Sequence, residues 1–541
     1  MPNDRDGDRD VDAAIADVAP DATLGDLLRR AAGRWPDHDA LIWGGRDAEA
    51  RRRWSYRELL ATAEGVAGAL LDRVDPGERV ALWAPNRPEW VHLQLGAALA
   101  GVVLVPLNPA FRPAEAADVL RRAAVAGVVY EPRSRGNDIE RTVAIVAPEL
   151  ASVRFATSLD ALVAEARGHA RAARDLPAVT AGDTAQIQYT SGTTGSAKGV
   201  VLHHRGMTAS VRLAVAAMQI GPAPVWLNVM PMFHIGGCGL STIGPIALGG
   251  AQVLAERFDP ALVLDLVEQE QVTFLGGVPT MLLALLVDPS FARRDLSSLR
   301  VVLSGGAHVA PQLVRHIEEA LGVHFIVAYG QTETEGHAIQ TRPGDSDDDK
   351  ATTLGRPLPG VEVRISDPVT LAPAPANGTG EIWVRSRCNM ERYFEDPAAT
   401  AAAFGPGGWL RTGDLGSMDG RGRVRFAGRL KELINRGGEN IHPPEIEAVL
   451  GAHDAVAEVA VVGVPDPHWG EQVGAVIRLR PGAQATGDEL AAYVAERLSP
   501  HKIPRRWRFV EELPHTASGK VQKFHLREGW DPVPPDGKLV G

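Results

Sequence analysis

The alternation of apolar strands with helices is the feature that most constrains how this chain folds. The strand patterns "RVALWA" (79–84), "VVLVPL" (102–107) and "GVVYE" (127–131) are separated by helical patterns that begin at Pro88 and near Ala114. These strands are apolar throughout, which is typical of parallel strands covered on both faces. The same alternation returns after residue 184. The sequence therefore predicts an α/β fold whose large N-terminal domain is rich in parallel sheet.

The pattern changes beyond about residue 355. Short strands with turn signals, "GVEVRISD", "GEIWVRS" and "GRVRFAGR", indicate a small β subdomain. Alternating helix and strand patterns follow and predict a small α+β domain of independent size. We expect a disordered lead-in at 1–20, an N-terminal domain at 21–428 and a C-terminal domain at 429–541. The acidic stretch "DSDDDK" (345–350) is expected to form a solvated loop.

Composition excludes several classes of function. The 541 residues carry a net charge of −11, which disfavours a nucleic-acid partner. Cys238 and Cys388 are too few for a disulfide framework and predict a reducing, cytoplasmic compartment with both thiols buried. The first twenty residues lack the apolar core of a signal peptide. No uncharged apolar run is long enough for a transmembrane helix.

The stretch "YTSGTTGSAKGV" (189–200) has the chemistry of a polyphosphate site. Glycines let a ligand approach the main chain closely, and successive N–H groups form a concavity that favours anions. Lys198 adds a positive charge. Gly199 stands where a Walker A loop has Ser or Thr, so the ligand for Mg²⁺ must come from elsewhere. The alternative interpretation is a flexible surface loop.

Four apolar strands end in glycine-rich loops, at 191–195, 276–277, 305–306 and 330. In open α/β sheets ligands bind just outside the carboxyl ends of the strands. We therefore expect these four loops to surround one site.

The glycine-rich loop resembles the phosphate-binding signature of the adenylate-forming superfamily, which includes acyl-CoA synthetases, aryl-CoA ligases, luciferases and the adenylation domains of peptide synthetases. Further motifs match the family in order: "YGQTE" (329–333), "GEIWVR" (380–385), "RTGD" (411–414), "GRLKELINRGGENIHPPEIE" (428–447) and "PHTASGK" (514–520). The resemblance covers residues from about 20 to 525. It implies an acyl-CoA synthetase that uses ATP, Mg²⁺, coenzyme A and a small-molecule carboxylic acid.

The resemblance implies nucleotide-binding roles for two groups of residues. The β- and γ-phosphates would be held by the residues of the glycine-rich loop: Thr190, Ser191, Gly192, Thr193, Thr194, Gly195 and Lys198. The adenosine would contact residues of four other motifs: Gly305, Gly306, Ala307, Tyr329 and Gly330 at the base, and Asp414 and Arg429 at the ribose, with the phosphate as an alternative partner of Arg429.

The resemblance also implies the catalytic residues. Lys520 would bridge the attacking carboxylate and the α-phosphate, and a compact cation there offsets the repulsion between two anions. Thr332 would donate to the α-phosphate. Glu333 would be the metal ligand, because a carboxylate supplies the hard oxygen that Mg²⁺ prefers. Read alone, Lys520 and Glu333 are ordinary surface residues.

The same family pattern implies a mobile C-terminal domain. Lys431 occupies the hinge position. Rotation about it would remove Lys520 from the active site and present a second face of the C-terminal domain in its place. On that face the coenzyme A tunnel would be lined by Gly437, Gly438 and Glu439.

The acyl pocket would be lined by residues of two motifs: Phe233, His234, Gly237, Gly276 and Gly277. His234 would gate this pocket and act in catalysis, although a satisfied core histidine is equally compatible with the sequence. Gly330 stands where acetate-specific relatives have tryptophan, so we expect it to leave space. A bulky hydrophobic acid, medium-chain, long-chain or ring-bearing, is therefore expected.

Three other functions stay open. The acyl group would pass to a carrier protein in the first, and to an amine, nitrite or another small nucleophile in the second. The third is a non-catalytic nucleotide-binding protein, which the combination of Lys520, Glu333 and Asp414 disfavours. The oligomeric state also stays open, with a homodimer as one alternative.

Overall fold

A computed structural model describes residues 21–45, 51–169, 175–190, 197–307, 309–437, 439–515 and 521–530. The chain divides into two compact units. The first is Met1–Val363 with Val384–Leu410, and the second is Arg364–Trp383 with Arg411–Gly541. The expected lead-in at 1–20 lies outside the described residues, as do residues 191–195, Gly438 and Lys520. The domain boundary placed at residue 428 stays a prediction.

The helices of the described residues are, in chain order, α1 (Leu24–Arg34), α2 (Tyr56–Leu71), α3 (Pro88–Ala100), α4 (Pro113–Arg122), α5 (Ile139–Val146), α6 (Leu159–His169), α7 (His204–Ala217), α8 (Ser241–Leu248), α9 (Pro260–Gln269), α10 (Pro279–Leu286), α11 (Pro311–Leu321), α12 (Asp347–Thr352), α13 (Pro397–Ala403), α14 (Pro443–Gly451), α15 (Gly487–Ala495) and α16 (Lys523–Leu526).

The strands of the described residues up to 357 are β1 (Asp39–Gly44), β2 (Arg53–Ser55), β3 (Arg79–Trp83), β4 (Val103–Leu107), β5 (Gly127–Tyr130), β6 (Arg133–Ser134), β7 (Asn137–Asp138), β8 (Phe155–Ser158), β9 (Thr184–Thr190), β10 (Lys198–His203), β11 (Val225–Asn228), β12 (Ala251–Ala255), β13 (Phe274–Gly277), β14 (Val301–Gly305), β15 (His324–Tyr329), β16 (Ile339–Gln340) and β17 (Arg356–Pro357).

The later strands are β18 (Glu362–Ser366), β19 (Gly380–Arg385), β20 (Arg392–Tyr393), β21 (Phe404–Gly405), β22 (Trp409–Met418), β23 (Val424–Arg429), β24 (Ile434–Arg436), β25 (Glu439–Ile441), β26 (Val456–Asp466), β27 (Gly470–Leu479) and β28 (Arg506–Phe509).

Two sheets build the first unit. In the described residues one sheet has the strand order β17-β16-β15-β14-β13-β11-β12-β1-β2, and its central strands from β15 to β1 are parallel. The other has the order β20-β10-β9-β4-β3-β5-β8, and its strands from β9 to β8 are parallel. The prediction of an α/β fold rich in parallel sheet is confirmed.

Local sequence signals set the helix ends in this unit. Ser55 caps α2 by accepting the backbone N–H of Glu58, whose carboxylate accepts the N–H of Ser55 in return. This reciprocal capping satisfies two donors that a helix start otherwise leaves unpaired. Helix α3 ends at Gly101, whose φ of 67° is the left-handed conformation that glycine adopts most readily. Both boundaries agree with the sequence pattern.

The second unit is α+β in the described residues. Strands β24, β25, β26, β27 and β28 form one sheet, in which β26 and β27 pair antiparallel along most of their length. Helices α14 and α15 bury apolar residues against it, among them Ile446, Leu490 and Val494. The small size of these elements agrees with the predicted α+β domain.

The expectation of a solvated loop at 345–350 is wrong. Residues 347–352 form helix α12, and Ser346 caps it by accepting the N–H of Asp349. The ammonium of Lys350 lies 2.7 Å from Oε1 of Glu318, and only 5% of the Lys350 side chain is exposed. The stretch has four aspartates, and capping and a buried ion pair fold three of them into a helix, in which Asp347 and Asp348 are exposed and Asp349 is buried.

A buried polar pair joins the end of β10 to the segment after β15. Nδ1 of His203 lies 3.1 Å from Oε1 of Glu335, whose side chain is fully enclosed. Gly206 is required beside them, because a Cβ there would lie 2.1 Å from the Glu335 carboxylate. Burial raises the pKa of Glu335 well above that of an ordinary carboxyl group. Burial also lowers the pKa of His203.

Among the described residues no helix is both long and apolar enough to cross a membrane. Cys238 and Cys388 are both free and buried, as the sequence predicts.

We predict that Glu335→Gln changes the pH dependence of stability. A carboxyl whose pKa is raised in the folded state stabilises the protein at low pH, and this contribution is lost as the pH rises through that pKa. Glutamine does not titrate, so the Tm of the variant minus that of the wild type increases from pH 4.5 to pH 8. Each unit of pKa shift corresponds to about 1.4 kcal/mol.

Thermal unfolding measured across this pH range checks the prediction, with Glu319→Gln as the control at an exposed position. A Tm difference for Glu335→Gln that is constant or that falls towards pH 8 contradicts it.

Candidate active site

The glycine-rich stretch connects the two strands of an antiparallel hairpin. Strands β9 and β10 pair so that Thr190 stands opposite Lys198. The hydroxyl of Thr190 donates to the carbonyl oxygen of Lys198 at 3.5 Å. Residues 191–196 lie between these positions and outside the described residues. The hairpin therefore places a hydroxyl and an ammonium at the two ends of the predicted phosphate loop.

Three of the four glycine-rich strand ends lie side by side. In the nine-stranded sheet, Gly277 of β13 stands opposite Ser304 of β14, and Gly305 stands opposite Ala328 of β15. This brings the turn at 304–307 beside Tyr329, as expected from parallel strands. The fourth glycine-rich stretch, 191–195, follows β9 of the seven-stranded sheet and lies outside the described residues. The expectation that all four loops surround one site stays a prediction.

The expectation that Gly330 leaves open space is wrong. A Cβ at this position would lie 2.2 Å from the carbonyl oxygen of Gly336, so the glycine is needed for close approach of two backbone segments. Gly305 and Gly237 are needed for a similar reason. A Cβ at Gly305 would lie 2.4 Å from the carbonyl oxygen of Ala328, and one at Gly237 would lie 2.3 Å from the carbonyl oxygen of Pro231. The tightness of the backbone, rather than an empty pocket, explains these glycines.

Gly276 and Gly277 differ from those glycines. A Cβ at Gly277 would meet only ordinary van der Waals contacts, and one at Gly276 would meet only the Phe274 ring, at 3.3 Å. Both residues are buried at the end of β13. Gly306, with a φ of 75°, and Ala307 are exposed in the turn after β14.

Phe233 and His234 lie in the segment between β11 and a π-helical turn at 236–240. Their rings are 4.5 Å apart, and both side chains are partly exposed. The His234 carbonyl accepts the N–H groups of Gly237 and Cys238, which fixes the local backbone. The partly exposed ring argues against an enclosed core histidine.

Thr332 and Glu333 lie in a short 3₁₀ helix, Thr332–Thr334, directly after β15. The hydroxyl of Tyr393 donates to Oε1 of Glu333 at 2.8 Å. The ammonium of Lys198 lies over the ring of the same tyrosine, 4.8 Å from its centroid. The structure therefore brings the loop cation and the predicted metal ligand to one tyrosine.

Tyr393 is a residue that the sequence analysis missed. It lies on the two-residue strand β20, which pairs with β10 through Val200. Burial and the neighbouring Glu333 carboxylate raise the pKa of Tyr393, so its hydroxyl stays a donor. The segment "ERYFEDP" carries no periodic or glycine-rich signal, and only the strand pairing shows where this tyrosine lies.

In the second unit, Asp414 and Arg429 stand opposite each other on β22 and β23. Nε of Arg429 lies 3.3 Å from Oδ1 of Asp414, which is 4% exposed. Thr412 fixes the preceding turn by donating to the carbonyl of Ile382 and accepting the N–H of Asp414. The structure thus brings together the two residues predicted to hold the ribose.

Lys431 is exposed in a 3₁₀ helix, Leu430–Glu432, directly after β23. Gly437 and Glu439 are exposed at the turn of the hairpin formed by β24 and β25. Gly437 has a φ of 60° and donates its N–H to the carbonyl of Trp469. Gly437 and Glu439, two residues of the predicted tunnel segment, are thus exposed in the second unit.

Lys520 lies outside the described residues, but the chain on either side of 516–520 is fixed. His515 and Val521 form an antiparallel bridge, and the N–H of Gln522 donates to the carbonyl of Pro514. The ammonium of Lys523 then lies 3.0 Å from Glu432 and 2.8 Å from Glu447. Although its burial acts in the other direction, these two carboxylates raise the pKa of Lys523. The described residues that flank 516–520 are thereby anchored within the second unit.

The chain matches the family model of the AMP-binding enzymes over residues 28–394 and that of their C-terminal domain over residues 445–520. It is 36% identical to a methyl-dioxo-octahydroindenyl-propanoyl:CoA ligase of Mycobacterium tuberculosis, covering 94% of this chain and 98% of the relative. It is 32% identical to the mitochondrial medium-chain acyl-CoA ligase of Rattus norvegicus, covering 94% and 87%.

Among solved structures, the chain resembles ATP-bound MatB from Rhodopseudomonas palustris with a TM-score of 0.86 and 30% identity. The match covers 94% of this chain and 99% of that one. Since one family model spans most of the chain and relatives match nearly all of it, the resemblance inferred from the motifs is confirmed. The protein belongs to the AMP-binding enzyme family.

Proposed function

We propose that the protein activates a hydrophobic carboxylic acid in two steps. The carboxylate attacks the α-phosphate of ATP, which forms acyl-AMP and releases pyrophosphate. The thiol of coenzyme A then attacks the acyl carbon, which forms acyl-CoA and releases AMP. The observation that carries this proposal is the contact of both Lys198 and Glu333 with Tyr393, beside the strands of the glycine-rich hairpin.

The hairpin binds the β- and γ-phosphates. Thr190 supplies a hydroxyl and Lys198 a charge, and residues 191–195 supply backbone N–H groups and further hydroxyls. Oriented N–H groups and a lysine are favourable for polyphosphate because the negative charge is spread over several oxygens. At the neighbouring sheet edge, the turn at 304–307 and Tyr329 hold the adenine, and Thr332 donates to the α-phosphate.

Mg²⁺ fits the chemistry of Glu333. The carboxylate is partly exposed, and its one described hydrogen bond uses Oε1, so lone pairs of the carboxylate stay available for a cation. Mg²⁺ is commonly held by one or two carboxylates together with substrate phosphates. The bound ion would neutralise charge on the phosphates.

The second unit supplies the ribose contacts and the catalytic lysine. Asp414 accepts hydrogen bonds from the ribose hydroxyls, and Arg429 holds its carboxylate in place. Lys520 bridges the carboxylate of the acid and the α-phosphate. Rotation about Lys431 then presents the hairpin at 437–439 to the pantetheine arm of coenzyme A. A glycine at position 438, which carries no side chain, would leave room for that arm.

The acid is hydrophobic and larger than acetate. Phe233, His234, Gly237, Gly276 and Gly277 line its pocket, and the absence of side chains at Gly276 and Gly277 gives it room. Support also comes from the relatives, whose names refer to a medium-chain acid and to a ring-bearing acid.

The free cysteines agree with a reducing, cytoplasmic location.

Replacing Lys520 by alanine should abolish most of the first step. Loss of a charge that stabilises the transition state costs about 100-fold or more in rate. Exchange of labelled pyrophosphate into ATP, measured with a hydrophobic acid, reports this step alone. Lys502→Ala is the matched control, since Lys502 forms an exposed ion pair with Glu445 in the same unit. Undiminished exchange in the Lys520 variant would remove this catalytic assignment.

The acceptor is tested by AMP release with a panel of hydrophobic acids. We expect release to depend on coenzyme A and to be faster with medium-chain or ring-bearing acids than with acetate, because short acids leave the pocket unfilled. Release that requires a carrier protein or an amine, and not coenzyme A, would show that the acceptor differs while the adenylation step stands.

A further inference from the structure

Tyr393 contacts both residues to which the proposed function assigns the terminal phosphates and the metal. We propose that Tyr393 is a positioning residue for adenylation, which orients the Glu333 carboxylate towards Mg²⁺ and holds the Lys198 ammonium towards the phosphates. This inference rests on the proposed function. Its geometric basis is the 2.8 Å hydrogen bond to Glu333 and the 4.8 Å distance from the Lys198 ammonium to the ring centroid.

The backbone fixes Tyr393 relative to the strand that carries Lys198. Tyr393 pairs with Val200 on β10, and the N–H of Phe394 donates to the carbonyl of Gly199 at 2.7 Å. On the other side, the N–H of Tyr393 donates to the hydroxyl of Thr400 at 3.0 Å. The ring is 8% exposed. Backbone pairing with β10 therefore fixes the position of Tyr393, in addition to the contacts of its side chain.

The same segment also holds the backbone of Glu333. The N–H of Met390 donates to the Glu333 carbonyl at 2.8 Å, and the hydroxyl of Tyr393 fixes the carboxylate at the other end of that residue. Two contacts from residues 390–393 thus hold both ends of Glu333. Groups that hydrogen-bond a metal ligand fix its orientation and influence how tightly the metal binds.

Tyr393 also contacts two opposite charges, one at the face of its ring and one at its hydroxyl. Within the described ranges no ion pair joins Lys198 to Glu333, and each of them contacts the tyrosine instead. A phenol attracts a cation to its face and donates from its hydroxyl, so it stabilises both charges at once. A direct ion pair would occupy the ammonium and the carboxylate before the nucleotide arrives. Tyr393 leaves both available.

Tyr393→Phe tests this role because it removes the hydroxyl and keeps the ring. We expect the affinity for Mn²⁺ in the presence of a non-hydrolysable ATP analogue to fall about 10-fold, as is common when a partner of a metal ligand is removed. Binding is read from the electron paramagnetic resonance signal of free Mn²⁺. The Mg²⁺ concentration for half-maximal pyrophosphate exchange should rise by a similar factor, while the KM for the acid is unchanged.

Tyr56→Phe is the matched control. It also removes a buried hydroxyl, which donates to the carbonyl of Gly250 at 2.7 Å, in the same unit. We expect it to lower the Tm and to leave the affinity for Mn²⁺ unchanged. An equal loss of Mn²⁺ affinity in both variants would reduce Tyr393 to a structural residue and overturn the inference.

Glu333→Gln separates this inference from the proposed function. If Glu333→Gln binds Mn²⁺ like the wild type, the metal assignment in the proposed function is wrong. If it loses affinity but Tyr393→Phe does not, only the role of Tyr393 is overturned. In the Glu333→Gln background, Tyr393→Phe should cause little further loss, because the hydroxyl acts through the carboxylate. A full additional 10-fold loss would contradict that coupling.

Discussion

The pairing of strand β10 with neighbours on both sides is the constraint on which the site depends. On one side β10 pairs with β9, which sets Thr190 opposite Lys198 across the ends of the glycine-rich loop. On the other side it pairs with β20, which brings Tyr393 beside Lys198. At its far end, His203 contacts the buried Glu335 in the segment that follows Thr332 and Glu333. The contacts of this one strand thus connect Lys198, the predicted phosphate-binding cation, with the segment that carries Glu333, the predicted metal ligand.

This arrangement is suited to a site that must bind several negative charges. Adenylation brings a carboxylate to a triphosphate, so the site must hold several negative charges before it adds another. Preorganised donors and cations do this at low cost, because they need not reorganise during the reaction. In the proposed function, the hairpin, Lys198 and Glu333 with a bound cation would act on the triphosphate, and Lys520 would act on the repulsion between the carboxylate and the α-phosphate.

Much of the fold and part of the site could be predicted from the sequence. Apolar runs are local signals, and from them the parallel sheets and the helix that begins at Pro88 could be predicted. Asp414 and Arg429 were assigned by motif and do lie together. The expectations that proved wrong concerned positions whose structure depends on tertiary contacts. Gly330 looked like open space but serves a close backbone approach, and Lys350 looked solvated but is buried with Glu318.

Tyr393 shows the same limit most clearly. Its role depends on a two-residue strand that pairs with β10, and nothing in the local sequence specifies such a pairing. Residues that act through another side chain leave a weaker trace in sequence than glycine-rich loops or charged motifs. Strand register is therefore the information that a structure adds to the family motifs.

The most direct test of this account is a crystal structure with Mg²⁺ and a non-hydrolysable ATP analogue. We expect the β- and γ-phosphates at the 190–198 hairpin, within hydrogen-bonding distance of the Lys198 ammonium, and the metal ion on the Glu333 carboxylate. A triphosphate bound away from this hairpin would contradict the account.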